Sequence, residues 1–438
     1  MTRTDVSNPV PLHRAIVGSR GRGNVWVLLL LAGLFIFAGM ASIALTRPTD
    51  AQLWAGFAVW IISALGAATL LKWRLPSHDP LLLVLSMFLS GWGLVAIERL
   101  APAFADRQAL WLVISVLTML GIAVFPQVLR WLRGYRYSLL AAALLLLAAT
   151  IVLGRNPSGF EFAPRLWLGI GAFYFQPSEI MKVILVAFMV SYLAEQSATF
   201  RASSDGSAGA TGLSLRLIGP IVMMWLLSMV ILVWQRDLGT AMLFFIVFLL
   251  LLYLSSGDPR LLLSGALLIV AAGVVAYQLF DVVQLRVDIW FNPWPEADGR
   301  AYQIVQSLMA FAAGGIAGTG VGLGAPGYIP VVHSDFIFSA IAEEWGLLGV
   351  IAILSSFGVL AWRGMAIALK HTGSVFHRLL AAGLTMTLLV QALMIMAGVL
   401  KLLPLTGVTL PFISYGGSSL FACHIMLGLL LRLSAGAR

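Results

Sequence analysis

The chain alternates long apolar runs with short polar breaks. Twelve runs are long enough to cross a bilayer, at about 24–46, 52–71, 80–98, 108–126, 138–154, 177–193, 216–234, 238–255, 260–280, 336–361, 378–400 and 412–433. Charged or Pro/Gly-rich connectors separate most of them. One break is unusual. The stretch Trp234-Gln235-Arg236-Asp237-Leu238-Gly239-Thr240 interrupts apolar sequence that runs from Ile218 to Leu254. A single helix of that length would reach roughly 55 Å, nearly twice the hydrocarbon core of a bilayer. Two helices with a polar step between them are expected, and Gly239 is expected to bend the chain there. A carboxylate so close to hydrocarbon is costly unless it is paired, wet or used. Asp237 is therefore the first candidate for chemistry on a lipid-borne substrate.

Composition agrees with the pattern. Hydrophobic residues make up 60% of the 438, and charged residues only 10%, against about 25% in a soluble domain. The expected class is an all-α polytopic membrane protein. The net charge of +9 suits basic loops facing anionic lipid and gives no nucleic-acid signal. The lone cysteine, Cys423, lies in an apolar run, so no disulfide framework is expected. The first run has no small-residue cleavage site after it and reads as a retained helix.

Charge also orients the chain. With the N-terminus placed in the cytoplasm, 17 of the 27 Lys and Arg residues fall on inside segments and nine on outside ones, leaving Lys182 within a helix. That bias fits positive-inside topology, with both termini cytoplasmic and Asp237 at the outer face. Connectors 155–176 and 281–335 are then also outside. The second is too long for a simple link and is expected to carry function. Connector 196–212, rich in Ser, Gly and Ala, reads as a flexible linker inside. No internal repeat divides the chain into matching halves.

Polar groups concentrate between 281 and 344. Asn292-Pro293-Trp294-Pro295 stops a helix beside interfacial Trp290 and Trp294. Glu296 and Asp298 follow, and a half-apolar stretch opens at Tyr302. Seven glycines come next: Gly314, Gly315, Gly318, Gly320, Gly322, Gly324 and Gly327. They lack a Walker lysine and a preceding strand, so a nucleotide site is not expected. A tightly turning loop and a backbone cradle for a lipid pyrophosphate both stay open. His333-Ser334-Asp335 leads into the next apolar run, where Asp335 is a candidate N-cap. Glu343 and Glu344 lie two turns into that run, as intramembrane carboxylates with a functional or paired role. Glu179 and Lys182 share a helix face three residues apart. They form either an internal ion pair or, through Lys182, a pyrophosphate contact. His371, His377 and His424 show no metal-ligand spacing.

Five segments carry a resemblance. Trp234–Ala241, Phe175–Glu179, Tyr302–Leu308, His333–Phe338 with Ala342–Gly346, and Leu410-Pro411-Phe412-Ile413-Ser414-Tyr415-Gly416-Gly417-Ser418-Ser419 together resemble, in order, the motifs of the SEDS family (RodA, FtsW and SpoVE) across roughly residues 79–433. The resemblance implies a ten-helix core, here preceded by two extra N-terminal transmembrane helices in residues 1–78. It also implies a peptidoglycan glycosyltransferase that polymerises lipid II into glycan strands on the outer face of the bacterial cytoplasmic membrane. A class B penicillin-binding protein is the implied partner, alongside lipid II, the growing lipid-linked glycan and membrane lipids. The family's essential aspartate falls on Asp237. Three departures stand out. Arg236 replaces a proline before that aspartate, Ser334 replaces a threonine, and Thr406 stands where many relatives carry lysine.

The expected reaction is an inverting glycosyl transfer with Asp237 as general base. Lys182, Arg165 and Arg286 are candidates for the leaving pyrophosphate, with a divalent cation as a further candidate and no metal site among the protein's own residues. Glu179, Glu296, Asp335, Glu343, Glu344, Ser414 and Ser418 complete the candidate substrate-binding set. Two rival readings are a lipid II flippase, with Glu343, Glu344 and Lys182 lining its path, and a non-catalytic scaffold for a transpeptidase.

Overall fold

The computed structural model describes residues 24–46, 51–156, 165–170, 173–204, 215–235 and 237–436. Two helices open the described chain, α1 (Val25–Thr46) and α2 (Ala51–Arg74). They are followed by α3 (Pro80–Leu100), α4 (Ala105–Val124), the short α5 (Gln127–Gly134) and α6 (Arg136–Leu153). A hairpin of β1 (Leu168–Ile170) and β2 (Phe173–Phe175) pairs antiparallel, with Leu168 opposite Phe175. Next come α7 (Pro177–Ser204), α8 (Leu215–Trp234), α9 (Leu238–Ser256) and α10 (Arg260–Leu279). The long connector after α10 folds into α11 (Asp281–Phe291) and α12 (Tyr302–Gly314), followed by the glycine-rich loop. The chain closes with α13 (Ile337–Lys370), α14 (Val375–Val399) and α15 (Gly417–Gly436).

Eleven described helices are long and apolar enough to cross a membrane. The twelfth expected span, α8, is helical too, and Trp225–Trp234 is the part that counts as a shorter apolar helix among the described residues. The polar step at Asp237 does separate α8 from α9. Gly239 is not the bend, which corrects the sequence reading. It is buried in the first turn of α9, and a Cβ there would lie 2.1 Å from the carbonyl oxygen of Thr406. Its role is close approach of the 400–411 loop to α9.

Helices α3, α7 and α14 form the centre of the bundle, while α10 lies at its edge against α9 and α11. Helix α15 runs along α4, and α13 along α14. The end of the bundle opposite Asp237 is tied by Asp79. Its carboxylate caps α3 through the amide of Leu81 (3.1 Å) and accepts from Arg363 Nε of α13 (2.6 Å), while its own amide donates to Ser434 Oγ of α15 (2.9 Å). Three helices are thereby tied together by one residue.

The two N-terminal helices pack directly on the rest. Helix α1 lies along α3, and Trp60 Nε1 of α2 donates to the carbonyl of Met87 at 2.8 Å. At the other end of α1, Ser42 Oγ donates to the carbonyl of Val321, in the glycine-rich loop, at 2.9 Å.

Candidate active site

The turn before α9 is anchored from beneath. Gln235 Nε2 donates to the carbonyl of Leu147 (2.6 Å) and to Thr150 Oγ1 (2.7 Å), both on α6. The next described residue, Asp237, caps α9: its Oδ1 accepts from the amide of Thr240 at 3.2 Å. Its second oxygen accepts from Ser178 Oγ, also at 3.2 Å. The N-terminal end of α9 offers this carboxylate a favourable dipole. Burial nevertheless wins and pushes the Asp237 carboxyl above the usual range. The bonds from Thr240 and Ser178 oppose that rise, and the charge of Glu179 adds to it.

A second carboxylate and a cation join from the long connector. Arg286 of α11 carries a charge that acts on both Asp335 and Asp237. Its guanidinium Nη2 and the Asp335 Oδ2 are each 3.8 Å from where a Cβ on Gly407 would sit, so both line the 400–411 loop. Gly407 has φ +72°, a left-handed backbone that favours glycine. Burial raises the Asp335 carboxyl too, against the bond from Ser334 Oγ (2.9 Å) and the charge of Arg286. Asp335 is not the N-cap expected from sequence. Phe336 holds that position and α13 has no side-chain cap, so the carboxylate belongs to the site rather than to the helix end.

Beneath Asp237 runs a buried chain of polar groups. Lys182, 2% exposed, is 2.5 Å from Glu179 Oε2 and donates to Gln391 Oε1 of α14 at 2.8 Å. Gln391 in turn donates to the carbonyl of Thr409 (2.9 Å), and Thr409 Oγ1 meets Ser419 Oγ at 2.6 Å. Ser418 Oγ accepts from the amide of Gln176 at 2.9 Å. The ion-pair alternative for Glu179 and Lys182 is the one the geometry supports. The Lys182 ammonium is enclosed and engaged by Glu179 and Gln391. Gln391 and Ser178 are the site residues that sequence reasoning missed. The available signal for Gln391 was a lone amide in an apolar helix, where polar side chains bond across helices.

Glu343 and Glu344 belong to a latch. Glu344 Oε1 accepts from Arg99 Nε (3.0 Å) and the amide of Gly322 (3.1 Å), and Glu343 Oε1 accepts from the amide of Ala325 (2.7 Å). Arg99 Nη2 also donates to the carbonyl of Gly324 at 2.9 Å. The amides of Thr319 and Gly320 go to the carbonyls of Glu343 and Glu344 (2.9 and 3.1 Å). Helix α13 kinks at Gly346, φ +64°, where a Cβ would lie 2.3 Å from the Gly318 amide nitrogen. The loop amides named here are spent on these carboxylates and carbonyls. These bonds support the turning-loop reading of the glycine-rich segment and the paired reading of Glu343 and Glu344.

Ser414 is also structural. Its Oγ donates to the Ser334 carbonyl (2.7 Å) and accepts from the Leu410 amide (2.9 Å), clamping the C-terminal motif onto the His333–Asp335 segment. Above the clamp, Phe104, His333 and Tyr415 form an aromatic cluster with ring centroids 4.8–5.6 Å apart. Two further candidates stand apart. Glu296 is partly exposed and bonds Arg300 at 2.8 Å, and Arg165 is exposed before the β1–β2 hairpin. Neither has a contact that joins it to Asp237 among the described residues. Arg236 lies outside the described residues.

Among the described residues no three His, Cys, Asp or Glu side chains converge as a metal site would require. The oxygen donors a cation could use near Asp237 are the carboxylates of Asp237 and Asp335; the Arg286 guanidinium beside them is itself a cation and ligates no metal. A divalent ion there would need phosphate oxygens of a substrate to complete its shell, as magnesium commonly does.

Comparison with known proteins follows the same lines. The sequence model of the FtsW/RodA/SpoVE family, described as "Cell cycle protein", matches residues 80–438. The peptidoglycan glycosyltransferase RodA of Mycobacterium tuberculosis is 36% identical over 449 aligned residues, covering 99% of this chain and 93% of the relative. A chain from a peptidoglycan synthase complex that coordinates polymerisation and crosslinking superposes with a TM-score of 0.67 at 29% identity, covering 82% of this chain and 98% of that one. The rod shape determining protein RodA of Thermus thermophilus superposes with a TM-score of 0.58 at 26% identity, covering 82% and 96%.

Proposed function

We propose, from the premise that this chain belongs to the FtsW/RodA/SpoVE family of cell cycle proteins, that Asp237 is the general base of its glycosyl transfer. The chain is a polytopic membrane protein and a peptidoglycan glycosyltransferase, as its relatives are named. Its substrate in this reading is lipid II. The GlcNAc 4-hydroxyl of the acceptor gives its proton to Asp237, and that oxygen attacks the anomeric carbon of the lipid-linked MurNAc of the donor. The C–O bond to the pyrophosphate breaks on the opposite face, and undecaprenyl pyrophosphate leaves with inverted configuration at the sugar.

The observation that carries this reading is a half-buried, hydrogen-bonded carboxylate that lies within reach of an arginine's charge. A carboxylate whose pKa is raised by burial is a stronger base once ionised, which general-base catalysis rewards. Ser178 and the Thr240 amide hold Asp237 in one orientation. Arg286, whose charge acts on both Asp237 and Asp335, is the group placed to bind the leaving pyrophosphate, since a guanidinium suits phosphate oxygens. Asp335 is the carboxylate that would share a divalent ion with that pyrophosphate; the ion would offset the developing charge when bound.

The charge bias of the connectors supports an outer-face site, with both termini in the cytoplasm of a bacterial cell. A class B penicillin-binding protein is the partner that fits a polymerase of this family, by analogy with the complex that coordinates polymerisation and crosslinking.

The test is glycan polymerisation from purified lipid II by Asp237→Asn beside wild type, matched for folding by thermal unfolding. Loss of the base should lower the rate by about 10²–10⁴-fold. Polymer formed at the wild-type rate would remove Asp237 from the chemistry, whereas no polymer from the wild type itself would favour a scaffold or a flippase.

A further inference from the structure

We propose that a basic cavity at the far end of α7 from Asp237 seats the phosphate headgroup of an anionic phospholipid. Helix α7 carries Glu179 near one end and Glu195 near the other. At 1.5 Å per residue these are about 24 Å apart. Beside Glu195 lies a cavity of about 430 Å³ lined by Arg130, Arg133, Gly134, Arg136, Tyr137 and Glu195. Its lining carries three guanidiniums and one carboxylate, so two positive charges remain after Arg136 pairs with Glu195 at 2.5 Å.

The local sequence builds this cavity. In α5, Val128, Leu129 and Leu132 pack on the bundle, while Arg130 and Arg133, three residues apart, are exposed. Arg133 stacks over Phe376 (5.7 Å) and Arg136 over Tyr137 (4.9 Å), which holds both side chains at the cavity. Arginine at such a spacing recognises phosphate oxygens by paired N–H donors.

The surroundings choose a lipid over a soluble phosphate. Trp131 is 56% exposed and Tyr135 61% exposed, flanking the arginines in sequence. Exposed Trp and Tyr beside basic residues at the ends of spanning helices mark the headgroup level of a bilayer. Basic pockets between helices at the cytoplasmic side are the common seat of anionic headgroups. The inference rests on the membrane orientation proposed above, though not on the chemistry assigned to Asp237.

The test uses the full chain in nanodiscs of equal phosphatidylglycerol and phosphatidylcholine, with retained lipids counted by native mass spectrometry. Wild type and Asp237→Asn should both retain phosphatidylglycerol in preference. Arg130→Gln with Arg133→Gln should lower that preference roughly tenfold, while Arg300→Gln, on an exposed loop, should keep it. No preference in the wild type, or an unchanged preference in the double variant, overturns the proposal. Displacement of the retained lipid by 10 mM inorganic phosphate also overturns it, in favour of a soluble anion. The wild-type measurement decides the matter even if the double variant does not fold. A failed polymerisation assay leaves the lipid count unaffected, so the two readings fall separately.

Discussion

Ser178 Oγ donates to Asp237 Oδ2 at 3.2 Å, joining residues 59 apart in the chain. Gln176 Nε2 in turn donates to Ser178 Oγ at 3.0 Å, so the hydroxyl is itself oriented. Ser178→Ala removes one of the two bonds that fix the base. It should cost about 3–10-fold in kcat, from a bond worth about 0.5–1.5 kcal/mol, with little change in thermal stability. Ser178→Thr should restore most of the loss, and a rate equal to wild type in the alanine variant would deny Ser178 a positioning role.

Asp237 also sets a pH dependence. Its carboxyl is raised by burial, so the ionised base is lost as pH falls through a value above the ordinary aspartate range, about 3.9. The acidic limb of the kcat/KM profile should therefore lie higher than an unperturbed aspartate would place it. Stability moves the other way. The protonated form is favoured by burial, so its contribution is complete below the unfolded value and fades as pH rises through the raised one. In Asp237→Asn, the part of the stability–pH curve that belongs to this group should flatten. An acidic limb at or below the ordinary aspartate value would contradict both statements.

The Glu179–Lys182 pair predicts a stability effect that differs from a catalytic one. Both side chains are buried, 8% and 2% exposed. Lys182→Met would leave Glu179 without its cation and next to Asp237. Breaking such a pair costs about 3–5 kcal/mol, whereas replacing both partners costs far less. Thermal unfolding in detergent should show a large drop for Lys182→Met and substantial recovery in Glu179→Gln with Lys182→Met. A single variant as stable as wild type would show the pair to be dispensable.

The latch at Glu344 is read by hydrogen exchange. The Gly322 amide donates to Glu344 Oε1, and bonds to charged acceptors are worth about 1.5–3 kcal/mol. Glu344→Ala should speed exchange in the 316–325 segment by at least about tenfold, with helix α14 unaffected. Arg99→Ala should give a smaller change in the same peptides, because Glu344 keeps the Gly322 bond. Unaltered exchange in both variants would show that the loop is held elsewhere.

What was legible in the sequence was the set of spans and the break at Asp237, because a bilayer demands long apolar runs and makes each interruption expensive. Residue pairings were not legible. Lys182 meets Gln391 across 209 positions and Arg99 meets Glu344 across 245, and neither spacing leaves a periodic trace. For the same reason Gly239 read as a bend when its buried face is shaped by Thr406, and Asp335 read as a cap when Arg286 faces it from the long connector. Arg165 and Glu296 entered as candidates by charge and position alone, and the described contacts of Glu296 go to Arg300.

The bond from Ser42 to Val321 has a consequence for how this protein can be recombined. The acceptor lies inside residues 80–438, which the family model matches, and the donor lies before them. Thr46, at the end of the same helix, stands against Gly322, where a Cβ would lie 2.8 Å from its hydroxyl. A chimera that joins residues 80–438 to the amino end of a ten-helix relative would strip one carbonyl of its donor and one glycine of its cover. The rim around Val321 is thus inherited jointly, and it transfers to another scaffold only when residues 25–46 travel with it.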